Sequence, residues 1–166
     1  MNLREDKHWS YGAGSVTLDA KGQGLFVAYA PVQTDKTKES IAEMQRELKE
    51  YTSDKPATEE EFGKVQKNAV LQLPGLWETN SSVMGSLRDM VKYERSPAYL
   101  QKYGDNILQL QVGEIRDLAT KVIKPSQLTW VVVGDRSKIE KGVQELKLGT
   151  IKYIDSEGNE VGGKSF

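Results

Sequence analysis

The chain has 166 residues, of which 37% are hydrophobic and 28% charged, enough to build one core and too apolar for a disordered chain. Twenty-three basic and 24 acidic residues leave a formal net charge of −1, which gives no electrostatic basis for binding nucleic acid or an anionic membrane surface. There is no cysteine and one histidine, His8, so thiolate chemistry is excluded and a self-contained zinc site would need mostly carboxylates.

In chain order, "NLRED" (2–6) reads as the last turn of a helix. An isolated terminal turn is marginal, so we expect an N-terminally truncated domain that lacks a first helix or strand. "SYGAGSVTLDA" (10–20) and "GLFVAYAPV" (24–32) predict two strands joined through "KGQG" as a β-hairpin. Gly12 and Gly14 weaken the first strand and mark a place where a backbone or ligand comes close. Residues 34–51 predict a helix with Ile41, Met44, Leu48 and Tyr51 on its buried face. Residues 58–73 open with a capping box, Thr58 with Glu61, and carry Phe62, Val65, Ala69 and Leu73 as a stripe. Pro74 and Gly75 end that helix.

A helix follows over 76–94. Another spans 96–106, with Ser96 as cap and Pro97 at its first position, and a short one spans 112–123. "QLTWVVVGD" (127–135) reads as a strand covered on both faces, because its apolar, β-branched run is continuous. A helix over 137–147, with Ser137 and Glu140 as its capping box, and a last strand over 150–155 complete the pattern. Trp77 and Trp130 read as core. The expected fold class is α+β, an antiparallel sheet covered by helices on one face, in one domain over 1–155 with a polar tail over 156–166. No apolar run is long enough to span a bilayer, and no apolar leader follows Met1.

The stretch from "NLREDKHWSYGAG" through "VQTDKTKESIAEMQRELKEY" resembles the C-terminal, non-zinc domain of the insulinase/pitrilysin metallopeptidases, a group that includes processing-peptidase-like bacterial zinc proteases. The likeness is most specific over residues 2–49 and looser beyond. It implies a two-half zinc metalloendopeptidase acting on peptides or unfolded protein. The zinc and the H-x-x-E-H motif would lie on a partner domain or subunit. It also implies that Arg4 and Tyr11 hydrogen-bond the substrate near the scissile carbonyl. A guanidinium and a phenol are both suitable donors for that task.

This sequence has no H-x-x-E-H, so the resemblance implies no catalytic residue, metal ligand or bound cofactor here, and no activity in isolation. His8 stands where the family more often has glycine; as a metal ligand it has little support, and an exposed loop histidine is the plainer expectation. Arg4 as a solvated helix-end residue and Tyr11 as a packed strand aromatic are the plain alternatives. A catalytically silent scaffold subunit on the same fold is the alternative function. The resemblance favours a periplasmic location; the residues themselves do not assign a compartment.

Overall fold

The computed structural model describes residues 2–162. A π-helical turn (Asn2–Asp6) leads to β1 (Gly14–Leu18) and β2 (Leu25–Tyr29), which form a two-stranded sheet. A 3-10 turn (Thr34–Lys36) enters α1 (Thr37–Tyr51). Then come α2 (Glu59–Leu71), a 3-10 turn (Pro74–Trp77), α3 (Asn80–Lys92), α4 (Pro97–Gln109), α5 (Val112–Val122) and α6 (Arg136–Glu145). The α+β expectation holds, with two strands where the sequence suggested three or four.

The described residues fall into two compact units. One takes those within 1–16, 28–47 and 126–166, the other those within 17–27 and 48–125. In the first unit Leu3, Ser40 and Ile41 are buried. The Ser40 hydroxyl is enclosed without a hydrogen-bond partner. Helix α6 packs on the turn before α1. Gly142 permits this, because a Cβ there would lie 3.2 Å from that of Lys38. Lys38 Nζ reaches Glu145 at 2.6 Å across the same seam.

In the second unit α2 packs along α4. Gln66 Nε2 donates to the carbonyls of Ile107 (2.8 Å) and Leu110 (3.2 Å) at the end of α4, the first of which also accepts from the Leu110 amide. Arg116 Nε donates to the Ala57 carbonyl at 2.9 Å, which ties α5 to the entry of α2. The expected capping box is present: Glu61 N–H donates to Thr58 Oγ1, and Thr58 N–H donates to the Glu61 carboxylate.

Four expectations are corrected. Residues 127–135 form no strand; they run without a ladder partner, and Val131 and Val133 are 75% and 92% exposed. A β-branched run specifies extended backbone, but a strand exists only where a neighbouring strand accepts its hydrogen bonds. Residues 150–155 likewise make only a single bridge, Ile154 with Glu160. That bridge brings the described part of the 156–166 tail back on itself; residues 163–166 lie outside the described residues. Third, Ser137 does not cap α6. Asp135 does, accepting from the Ser137 amide at 3.1 Å, and Glu140 is instead engaged by Arg136 and by the Tyr153 hydroxyl. Trp77, expected in the core, is 41% exposed and donates to Ser86 Oγ, and Trp130 is half-buried.

Candidate functional site

The site singled out by sequence lies in the first unit, where the opening turn runs towards β1. Lys7 N–H donates to the Asn2 carbonyl at 2.9 Å, a π-type closure. The chain then reverses at His8, whose φ of 57° puts it in the left-handed region. A glycine would take this conformation without penalty; a histidine costs of order 1 kcal/mol. The turn keeps its form because its hydrogen bonds over-determine it. The amides of Trp9 (3.0 Å) and Ser10 (3.2 Å) both donate to the Leu3 carbonyl. That carbonyl belongs to the peptide unit entering Arg4, and Ser10 directly precedes Tyr11. The backbones carrying Arg4 and Tyr11 are thus brought side by side, seven positions apart in sequence.

The return strand secures this turn. Ser10 pairs with Val32 in an antiparallel bridge. Gln33 N–H donates to the Trp9 carbonyl at 2.9 Å, and Gln33 Nε2 donates to the His8 carbonyl at 3.1 Å. Ser10 Oγ lies 2.6 Å from the carbonyls of both Pro31 and Gly12. Beneath, Asn2 Nδ2 donates to the Glu43 carboxylate of α1, which Arg46 also engages. The Arg46 hydrogen bonds hold the Glu43 carboxyl below its ordinary range, against an opposing push from burial.

Both candidate side chains face solvent. Tyr11 is 97% exposed and its hydroxyl makes no hydrogen bond among the described residues. Arg4 is exposed and pairs with its neighbour Glu5 at 3.2 Å. An adjacent, solvated pair of this kind contributes little to stability. The Arg4 and Tyr11 side chains make no hydrogen bond to one another. Lys7 Nζ lies 5.4 Å over the ring of Trp9, which is half-buried. A Cβ at Gly12 would meet nothing within 4 Å, whereas one at Gly14 would lie 3.1 Å from the Tyr29 hydroxyl. Only Gly14, therefore, answers the expectation of close approach. His8 is exposed, and no group of three or more His, Cys, Asp or Glu among the described residues is arranged to hold a metal ion. These residues do not fit a zinc site.

Sequence reasoning overlooked the supporting residues Asn2, Ser10, Gln33 and Glu43. Their polar types carry no distinctive spacing, and all four act on parts of the chain more than 20 positions away.

Residues 1–69 match the model of the peptidase M16 inactive domain. The match covers the first 69 of the chain's 166 residues. A solved structure of a peptidase M16 inactive domain from Pseudomonas fluorescens superposes on 75% of this chain with a TM-score of 0.67 and 18% identity. That likeness extends the inactive-domain fold past residue 69 and, at that identity, shows the fold alone. The chain spans 29% of the length of that structure. A comparison with curated proteins finds no match. The matched 1–69 segment contains the whole turn, the hairpin, α1 and nearly all of α2.

Proposed function

We propose that this inactive domain serves as the substrate-contacting, non-zinc part of a zinc-dependent metalloendopeptidase, with Arg4 and Tyr11 donating hydrogen bonds to a peptide near its scissile carbonyl. The reading is supported chiefly by the closure on the Leu3 carbonyl. It leaves a guanidinium and an unpartnered phenol exposed on adjoining backbone. The zinc would be held by a partner domain or subunit of the same family, where it would polarise the carbonyl and activate water. This chain's own part is to bind the peptide and to stabilise the developing oxyanion. A single donor so aimed is worth about 3–4 kcal/mol.

The test is cleavage of an internally quenched, unstructured peptide by the chain assembled with its zinc-bearing partner. Tyr11→Phe removes only the donor and leaves the ring. It is expected to lower kcat/KM by about 100-fold while far-UV circular dichroism is unchanged. An unchanged rate would transfer the domain to the scaffold reading, in which the fold is kept for assembly alone.

A further inference from the structure

The second unit carries a cluster that the opening turn does not use. At the end of α3 the chain makes a Schellman closure: Arg95 N–H donates to the Met90 carbonyl (2.9 Å) and Glu94 N–H to that of Val91 (3.4 Å). Its left-handed residue is Glu94, with φ 55°, where glycine is usual. The reversal sends Arg95 back between two phenol rings. Its guanidinium carbon lies 4.8 Å from the centroid of Tyr93 and 4.7 Å from that of Tyr99. The Tyr99 ring in turn leans on Tyr103, one turn along α4, at 5.8 Å. Lys92 Nζ sits 4.7 Å over Tyr93.

The nearest carboxylate in sequence, Glu94, is taken by Lys21 at 3.1 Å. Tyr93 Oη donates to the Asp19 carbonyl at 3.4 Å, which fixes that ring. Arg95 is left with no ion pair and no side-chain hydrogen bond among the described residues. Its guanidinium lies close to both rings, and its donors are unmatched. A stacked guanidinium is held flat and partly desolvated, which preorganises the fork for a two-oxygen acceptor.

We propose that Tyr93, Arg95 and Tyr99 form a carboxylate-binding subsite for an unstructured polypeptide, taking an Asp or Glu side chain or a C-terminal carboxylate. The overall charge of −1 disfavours a polyanion such as nucleic acid, which needs a run of cations. One guanidinium flanked by rings, with Lys92 beside it, suits a single carboxylate with apolar neighbours. The proposal rests on the reading above only for the peptide nature of the ligand.

The test is equilibrium binding, without cleavage, of dye-labelled unstructured peptides to the full chain by fluorescence anisotropy. Peptides carrying one internal Glu, or a free C-terminal carboxylate, should bind about tenfold more tightly than the matched Gln or amidated peptides; their relative gain distinguishes the two sources. Arg95→Ala and Arg95→Lys should both abolish that discrimination, since lysine keeps the charge and loses the fork. Equal affinity of acidic and neutral peptides for the unaltered chain overturns the proposal whether or not a variant folds. So does competition by inorganic phosphate at concentrations where acetate has no effect. Because no proteolysis is measured, the outcome is independent of the Tyr11→Phe result.

Discussion

At the scale of single residues, the opening turn is held by polar contacts that titrate. Glu43 accepts from Asn2 and Arg46, and its carboxyl is depressed in the folded chain. A carboxyl with a depressed folded-state value adds stability that is complete above its unfolded value. That stability is lost as pH falls through the folded one. We therefore expect Glu43→Gln to lower the thermal midpoint at pH 7 by about 2–4 °C, as for a loss of roughly 1 kcal/mol. The difference from wild type should close as pH falls through and below the ordinary glutamate range. Thermal denaturation of both proteins between pH 7 and 3 checks this; a gap that persists at pH 3 would detach the effect from the Glu43 charge. Arg4 and Tyr11 were legible as candidates because an arginine and a tyrosine stand at a characteristic interval in a matched stretch. Glu43 was not legible, because a helical glutamate on a mostly polar face looks the same whether it is solvated or bonded to a residue 41 positions earlier.

At the scale of elements, the helices follow their local signals. Thr58 caps α2 by accepting from the Glu61 amide at 3.2 Å, and the Glu61 carboxylate, held low by its bonds from Thr58, completes the box. Thr58→Ala should cost about 1 kcal/mol in chemical denaturation, whereas Thr58→Gly should cost only a few tenths. No loss on Thr58→Ala would mean the side-chain cap contributes nothing. Helix α6 shows where such reading fails. Asp135, Ser137 and Glu140 all satisfy capping patterns, and sequence alone favoured Ser137. Arg136 decides between them: its guanidinium lies 3.8 Å over the Tyr153 ring and binds Glu140, which also accepts from the Tyr153 hydroxyl. With Glu140 so engaged, the cap passes to Asp135, which also takes the Ser137 hydroxyl at 2.7 Å.

At the scale of the whole molecule, four large apolar residues are buried among those described: Leu3, Ile41, Val112 and Ile123. Apolar positions that the helical spacing assigned to a buried face are open instead, among them Tyr51 and Val65. The segment 127–135 belongs with them. Its amides should exchange with solvent deuterium as fast as those of an unstructured peptide, while amides in the middle of α1 are protected. Slow exchange at Val131 and Val133 in the isolated chain would contradict the unpaired backbone described here.

By itself, the sequence determined the helices, the Thr58 cap, the hairpin and the likeness of the opening segment to a known family. Each of these rests on interactions between residues a few positions apart, or on a short string of residue types. Helical hydrogen bonds close within four residues, so the 3.6-residue period and its capping residues specify them locally. Only the tertiary structure decided that "WVVV" has no strand beside it, that Ser10, Gln33 and Glu43 secure the Arg4–Tyr11 turn, and that Arg95 lies between two tyrosines. Those outcomes depend on which distant group supplies a partner, and a strand or a stacked guanidinium does not encode its partner in its own residues.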